Sequence, residues 1–410
     1  MPRLARPAAL ALPVLALGTS IALTGCVPNA PQGGDGASAI TVTSTDTECT
    51  VSTSTATSGP TTFEVTNRGE RTTEFYLLAE DGLRIVGEVE NIAPGASREV
   101  SIVAQPGSYF TVCKPGMVGE GVGRAPFTVT GEQVAPSGDD AAAIDAAVAN
   151  YTAYVKSQAA ELVPAVDALA DAYIAGDDAR ARELFASTRV YFERIEPTAE
   201  AFGDLDPRLD NREVDAVAEG AAWTGFHRIE KDLWPPAPGA RNSDDADAHL
   251  NWAPSTPEQR QQLGQQLKDD ARSLSDLVSG PDFSLTIEDI TNGAIALLDE
   301  VANRKVTGEE DWWSRTDLSD FAANIEGARV AYGEVRDLAA SKGEAGAALV
   351  QQIDAGFAAL DEVLARHGSI STGFTPYDRL SESEIRELAA QVDALAEPLS
   401  KLTTTVLGIA

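Results

Sequence analysis

The most constraining feature of the sequence is a change in hydrophobic periodicity between residues 132 and 140. Before it, apolar residues alternate with polar ones in short runs, which is typical of strands with one buried face. After it, apolar residues recur every three or four positions, as on one face of a helix. We therefore predict an α+β multidomain chain, with a small β-sandwich over residues 39–132, a linker over 133–139 and an all-α helical bundle over 140–410.

The first part of the chain contains short runs of β-branched and aromatic residues, separated by turn signals such as Pro94-Gly95 and Pro106-Gly107. Short strands at this spacing favour a small antiparallel sandwich with Greek-key connections. The strand-like runs cover residues 41–43, 62–65, 74–77, 101–103, 109–112 and 127–129.

The second part has helical periodicity almost throughout. Helical segments joined by short loops predict one large bundle or a pair of bundles. A long polar loop from Pro235 to Pro254 interrupts the pattern and is a candidate lid. The predicted helices cover residues 140–175, 177–202, 211–234, 256–279, 284–305, 316–342, 345–366 and 382–407.

The first 25 residues have the pattern of an export signal. Two arginines precede an apolar run over residues 8–22, which is too short for a stable membrane span. Residues 23–26, Leu-Thr-Gly-Cys, then resemble a bacterial lipobox. We expect a lipoprotein signal peptide over 1–25, lipid attachment at Cys26 and a tether over 26–38, which would anchor an extracytoplasmic protein to the cell membrane. The alternative is an ordinary signal peptide with an incidental cysteine.

The charge balance narrows the choice of partners. The chain has 31 basic and 63 acidic residues, a formal net charge of −32. Because nucleic-acid phosphates require lysine and arginine, we expect no nucleic-acid partner. An acidic chain attracts cations, so this charge is compatible with a bound metal ion. A solvated acidic surface is nevertheless the commoner cause of such a charge.

One of the three histidines has neighbours suited to metal binding. His227 and Glu230 are three residues apart, so a helix presents the imidazole and the carboxylate on one face. Glu193 and Glu196 have the same spacing, and helical bundles that project such pairs inward hold iron or manganese. Carboxylates with one imidazole suit iron, manganese or zinc.

The same residues also have a simpler interpretation. A His-x-x-Glu sequence occurs by chance, and the two upstream glutamates are also placed to form surface ion pairs with Arg189 or Arg194. His249 in the polar loop and His367 at a helix end are expected to be ordinary surface residues.

The sequence contains no established catalytic motif. Neither His-Glu-x-x-His nor Gly-x-Ser-x-Gly is present. A metal-dependent peptidase would have to use His227 and Glu230, with an open coordination position and a general base. We therefore expect a binding protein rather than an enzyme. The alternatives are such a peptidase and an adhesion or structural lipoprotein.

Several segments of the helical part resemble the EfeO family of extracytoplasmic iron-uptake proteins. The resemblance extends over about residues 40–410. It implies a cupredoxin-like domain followed by an imelysin-like (M75 peptidase-type) helical domain. The segments that carry it are residues 190–197, 202–207, 223–234 with Gly-Phe-His-Arg-Ile-Glu, 308–310 and 316–321.

The resemblance implies an iron site for Fe(II) or Fe(III), with copper and zinc as alternative metals. The family often has a histidine near residues 314–316, where this chain has Arg315, so no second imidazole ligand is expected from that segment. The implied ligands are His227 and Glu230, with Glu193 or Glu196 as helpers and Glu309 and Asp210 as weaker candidates.

The resemblance also implies two partners, an EfeU-type ferrous permease and an EfeB-type haem peroxidase. Together these observations predict a lipid-anchored component of an iron uptake system. It would capture iron at the His-x-x-Glu site and deliver it to a membrane permease.

The strand-like part has no histidine, so it cannot form a blue-copper site, which needs two imidazoles and a thiolate. Cys49 and Cys113 are the only cysteines besides Cys26, and in an exported chain a disulfide between them is expected. The resemblance implies a second possibility, a metal site formed by Cys49, Glu74 and Cys113. Such a site would bind copper or iron and take part in electron transfer or oxidation.

Overall fold

The chain is described by a computed structural model that covers residues 39–408, with gaps at residues 84, 117–120, 134–139 and 304. The predicted signal peptide, the tether, Cys26 and all but the first residue of the predicted linker lie outside the described residues. Among the described residues, no helix is both long and apolar enough to cross a membrane.

A β-sheet domain precedes a helical domain, which confirms the predicted α+β class. The strands are β1 (Ile40–Ser44), β2 (Cys49–Val51), β3 (Thr55–Thr57), β4 (Gly59–Asn67), β5 (Thr73–Leu78), β6 (Ile85–Ile92), β7 (Ser97–Ala104), β8 (Gly107–Cys113) and β9 (Val122–Thr130). They form a sheet of order β2-β1-β4-β7 and a sheet of order β3-β9-β8-β5-β6. All the predicted strand runs lie within these strands.

The predicted antiparallel sandwich is wrong for two strand pairs, because β1 pairs with β4 in parallel and β3 pairs with β9 in parallel. Between β1 and β4 the chain passes through β2 and β3 and then returns in its original direction. These two strands have three residues each. Such short strands are hard to recognise from residue alternation, so the sequence did not predict that β2 and β3 lie between β1 and β4.

The core of the β domain follows from residue alternation. In β1, Ile40 and Val42 are buried while the threonines between and after them are exposed. Phe63 is fully buried, and its ring centroid lies 5.2 Å from that of Phe75 and 5.5 Å from that of Phe127. Apolar side chains from both sheets thus fill one core.

The helical domain contains α1 (Asp140–Ala175), α2 (Asp178–Glu193), α3 (Leu205–Asp210), α4 (Glu213–Glu219), α5 (Gly225–Leu233), α6 (Pro257–Ser279), α7 (Ile287–Asn303), α8 (Asp317–Ala340), α9 (Gly343–Leu364), α10 (Glu382–Leu399) and α11 (Leu402–Leu407). A 3-10 helix, Glu196–Phe202, follows α2, and shorter 3-10 turns lie at Lys305–Thr307 and Tyr377–Arg379. Short strands β10 (Gly368–Ser369) and β11 (Gly373–Phe374) form a hairpin after α9.

Three predicted helices are divided in the structure, and the predicted helix over 382–407 is one of them, with α10 ending at Leu399 and α11 beginning at Leu402. The other two breaks lie near His227. Helix α2 ends at Glu193, because Pro197 has no N–H to donate to that carbonyl. The predicted helix over 211–234 is divided into α4 and α5, since Gly220 adopts a left-handed conformation after α4. The two breaks near His227 turn short segments inward, where they carry acidic residues.

The two domains meet along the middle of α1. Tyr76 and Val112 of the β domain pack with Ala153 of α1. Lys114 Nζ lies 2.9 Å from Glu161 Oε1, and both side chains are mostly buried. The helical domain itself has one continuous apolar core.

Candidate metal centre

His227 lies on α5, which is held close to the end of α3 by a glycine. Gly225 has φ 81°, and a Cβ atom at this position would lie 2.1 Å from the carbonyl oxygen of Leu209. Only glycine permits this approach, which brings Asp210 beside the imidazole. The distance from Asp210 Oδ1 to His227 Nε2 is 3.5 Å.

His227 and Glu230 share one face of α5, as their spacing predicts. The distance from His227 Nδ1 to Glu230 Oε2 is 3.1 Å, and the two residues are 2% and 1% exposed. Glu230 Oε1 accepts hydrogen bonds from the backbone N–H groups of Trp313 (2.9 Å) and Ser314 (2.7 Å). The carboxylate is therefore fixed at both oxygens.

The segment over residues 308–313 supplies two acidic residues that were not predicted. Glu310 Oε1 lies 3.6 Å from His227 Nε2, and Asp311 Oδ1 lies 3.7 Å from His227 Nδ1. Gly308 fixes the start of this segment, because its φ is 76° and a Cβ atom there would lie 2.3 Å from the Tyr377 ring. The sequence feature that could have identified these two acids is the acidic run over residues 309–311, which directly precedes two tryptophans.

Glu309, the predicted ligand of that run, points away from His227. Its side chain is 39% exposed and lies 3.6 Å from Arg212 NH1. The segment is a turn without regular periodicity, so the choice between Glu309 and Glu310 depended on the backbone path.

The structure thus places a group of three potential ligands on each side of the imidazole. Within each group, the ligand atoms all lie within 4.8 Å of one another. One group is Asp210, His227 and Glu310, and the other is His227, Glu230 and Asp311.

Glu193 and Glu196 belong to the same buried region, but they contact cations rather than His227. Lys305 Nζ lies 2.9 Å from Glu193 Oε2 and 2.6 Å from Glu196 Oε2. Asn324 Nδ2 donates to the same two oxygens at 3.0 and 2.6 Å. Glu193 also pairs with Arg189 at 2.5 Å, so one predicted ion pair forms, although it is buried rather than at the surface.

Arg189 is fully buried and is the main cation of the site. It donates to Asp320 at 2.8 Å and also to Glu193 and Asp210. Its guanidinium lies 3.6 Å from Glu310 and 3.7 Å from Asp311.

We define the carboxylate cluster as eight acidic residues that surround His227, Arg189 and Lys305. Its two permanent cations leave six carboxyl groups without a counter-charge. Isolated buried carboxylates are strongly unfavourable, so the cluster requires either bound protons or a bound cation. The cluster consists of Glu193, Glu196, Asp210, Glu230, Glu310, Asp311, Asp317 and Asp320.

The pKa values of the buried carboxyl groups differ from one another, because each group has a different balance of burial and neighbouring charge. Burial, reinforced by the charge of Glu230, raises the pKa of Asp311 to about 7. Burial, together with Asp311, raises the pKa of Asp317 to about 8. For Glu310 burial acts in the same direction, but Lys305 and His227 outweigh it and hold the pKa well below its ordinary value.

The pKa of the imidazole is also raised, but by neighbouring negative charges rather than by burial. Burial and Arg189 both oppose its charge, but the carboxylates of Glu230, Glu310 and Asp210 outweigh them and raise the pKa of His227 to about 10. Without metal, His227 is therefore protonated at neutral pH and supplies a further positive charge.

Asp317 and Asp320 lie in the first turn of α8. Their sequence context does not indicate a site, because acidic residues are common at helix N-termini, where they interact favourably with the helix dipole. Their burial and the N–H of Asp311, which donates to Asp317 at 3.2 Å, distinguish them.

A lysine within an aromatic cage fixes the elements around His227. Lys231 Nζ lies 4.6 Å from the ring centroid of Trp313, 5.5 Å from that of Trp252 and 5.6 Å from that of Trp223. It also pairs with Glu213 of α4. The polar loop and the 308–313 segment are thereby attached to α5.

An acidic cleft of 840 Å³ reaches the cluster from the surface. Nine acidic residues and one basic residue line it. Asp210 and Glu310 belong to this lining, and both face the imidazole.

The remaining candidates lie elsewhere. Cys49 and Cys113 form a disulfide that joins β2 to β8, one strand from each sheet, so a thiolate site would first require its reduction. Glu74 is buried on β5 and accepts a hydrogen bond of 2.6 Å from the Tyr76 hydroxyl. His249 is exposed and His367 is half-buried.

Comparison with known proteins agrees with this architecture. The family model for imelysin, the M75 peptidase family, matches residues 147–402, and the model for the cupredoxin-like domain matches residues 14–122. The chain is 36% identical to the "Iron uptake system component EfeO" of Yersinia pestis over 354 residues, which is 86% of each chain. It is 34% identical to the protein of the same name from Escherichia coli over 357 residues, which is 86% of this chain and 87% of the relative.

The chain therefore belongs to the imelysin family, as an EfeO-type member with a cupredoxin-like domain before the helical one. A solved structure, described as a putative iron-regulated protein A precursor from Parabacteroides distasonis, aligns with 66% of this chain and 96% of its own. Its sequence identity is 16% and its TM-score is 0.48, too low to bear on function.

Proposed function

We propose that this chain is the extracytoplasmic, lipid-anchored iron-binding component of an iron uptake system. It captures Fe(II) or Fe(III) at His227 and the carboxylate cluster and delivers it to a membrane permease. The observation that carries the proposal is the buried excess of carboxyl groups around one imidazole. The metal and the setting are proposed from the EfeO relatives, which are named as components of an iron uptake system.

The donor set suits iron. Carboxylate oxygens with one imidazole are ligands that iron accepts readily, and copper or zinc could occupy the same atoms. A multivalent cation would also replace the positive charge that the cluster lacks. Capture from dilute solution is favoured further, because an acidic cleft raises the local concentration of cations.

Iron affinity is expected to fall by about tenfold from pH 7 to pH 6, the change for one displaced proton. The imidazole, with a pKa of about 10, must lose its proton to bind metal, so protons compete with iron throughout this range. Calorimetric titration of the lipid-free chain with anaerobic Fe(II), in two buffers of different protonation enthalpy, counts the protons released. Binding that is independent of pH and releases no proton would contradict the proposed site. Parallel titrations with Fe(III), Cu(II) and Zn(II) rank the metals.

The anchor is proposed from residues 23–26. We expect the intact chain to sediment with membranes of the producing cell and the Cys26→Ser variant to be recovered in the soluble extracytoplasmic fraction, because one lipidated cysteine carries the attachment. Immunoblotting of the fractions measures this. Equal membrane recovery of both forms would contradict lipid anchoring.

Delivery requires partners in the membrane. We propose an EfeU-type ferrous permease as the acceptor and an EfeB-type haem peroxidase as a further component. Because capture depends on protonatable groups, a local fall in pH or a competing ligand set at the acceptor would release the metal.

A further inference from the structure

The two nitrogens of His227 have different surroundings. Nδ1 lies 3.1 Å from Glu230 Oε2, within hydrogen-bonding distance. Nε2 faces Asp210 and Glu310 at 3.5 and 3.6 Å, and in the described part of the chain it has no hydrogen-bond partner. A ring nitrogen that is buried and aimed at two carboxylates without a hydrogen bond is suited to receive a ligand.

The acids on the Nδ1 side are held in place by the fold, although His227 and Glu230 also line a small cavity of about 20 Å³. Glu230 is held by two backbone N–H groups through one oxygen and directs the other at Nδ1. Asp311, the second acid on this side, accepts a hydrogen bond from the Thr316 hydroxyl. A histidine that binds metal through one nitrogen usually donates its other N–H to such a fixed carboxylate.

The Nε2 side opens toward the surface. Asp210 and Glu310 line the acidic cleft, and the Asp210 side chain is 10% exposed. A cation that enters the cleft therefore meets these two carboxylates before it can reach Glu230 or Asp311. The ligand atoms of Asp210, His227 and Glu310 already lie within 4.8 Å of one another.

We propose that the metal enters through the cleft and binds Asp210, Glu310 and Nε2 of His227, whereas Glu230 is a positioning residue that orients the imidazole. This proposal rests on the proposed function, since it presumes that the cluster binds metal. It reassigns the His-x-x-Glu pair, because only its histidine contacts the cation. Arg189, which pairs with Asp210 in the absence of metal, is the group that the cation displaces from that carboxylate.

Nitrogen NMR of the histidine-labelled chain tests the proposal directly. The chain has three histidines, and a His227→Ala spectrum assigns the relevant signals. With Zn(II) as a diamagnetic probe, we expect Nε2 of His227 to take the chemical shift of a metal-bound nitrogen while Nδ1 stays protonated. Metal on Nδ1 and a proton on Nε2 would overturn the proposal. If neither Zn(II) nor Fe(II) changes the His227 signals, the proposed function fails instead.

Charge-neutralising variants give an independent readout. We expect Asp210→Asn and Glu310→Gln each to lower Zn(II) affinity by at least about 100-fold, more than loss of an orienting partner normally costs. Glu230→Gln is expected to keep one bound metal on Nε2, with a loss of about 10–100-fold. Glu200→Gln removes the same charge from an exposed residue of the cleft and is the matched control.

The variants also separate the two possible failures. If Asp210→Asn and Glu310→Gln bind like Glu200→Gln while Glu230→Gln abolishes binding, Glu230 is a ligand and the assignment of the Nε2 side is wrong. The iron-binding function would survive that result, because the wild-type chain would still bind metal through His227.

Discussion

Replacing His227 by alanine is expected to lower the affinity for Fe(II) by at least about 100-fold, because even an orienting partner of a metal ligand contributes about 10–100-fold. His227 is the imidazole shared by both potential ligand groups, so neither group can compensate for its loss. The measurement is anaerobic titration with chelator competition, and the dissociation constant is compared with that of the wild-type chain.

His249→Ala is the matched control for this change. It removes an imidazole from an exposed loop position, and its iron affinity should equal that of the wild-type chain. Circular dichroism reports whether the fold survives. If the alanine variant does not fold, His227→Gln retains a polar side chain in the cavity. Wild-type affinity in a folded His227 variant would place the iron elsewhere on the chain.

Replacing Arg189 by methionine is expected to reduce the free energy of unfolding of the metal-free chain by about 3–5 kcal/mol, the usual cost of removing one partner from a buried ionic group. Its guanidinium pairs with three buried or nearly buried carboxylates and lies close to two more. Without it, Lys305 is the only permanent cation left in the cluster. Urea denaturation at neutral pH measures the effect.

Arg180→Ala on the same helix is the control. The Arg180 side chain is 55% exposed and pairs with an exposed glutamate, so its loss should change stability by no more than about 0.5 kcal/mol. Iron should raise the unfolding midpoint of the Arg189 variant by more than it raises that of the wild-type chain, because the metal then supplies the missing positive charge. Equal stability of the two arginine variants would show that the cluster does not depend on Arg189.

Much of this organisation could be predicted from the sequence. The change of periodicity predicted the two domains, and the spacing of His227 and Glu230 predicted that they share a helix face. The partial errors have local causes. Gly220 and Pro197 divide long periodic segments, and a helix pattern alone does not show where such a segment turns inward.

The carboxylate cluster itself could not be predicted in full. Arg189 has helical spacing from Phe185 and Phe192 on the buried face of α2, but arginine is rarely fully buried, so this position did not predict burial. Lys305 lies in a short 3-10 turn, where no helical periodicity indicates burial. Asp317 and Asp320 look like normal acids of a helix N-terminus. The choice of Glu310 over Glu309 depends on one peptide orientation after Gly308, which tertiary packing against Tyr377 determines.

The groups around His227 come from separate segments spread between residues 189 and 320, so they are near one another only in the folded chain. A metal that needs several of them binds the native state and not the unfolded one. Each tenfold excess of free iron over the dissociation constant then adds about 1.4 kcal/mol to the free energy of unfolding. Iron bound at this site would therefore also stabilise the helical domain, and the chain should resist proteolysis more with iron bound than without it.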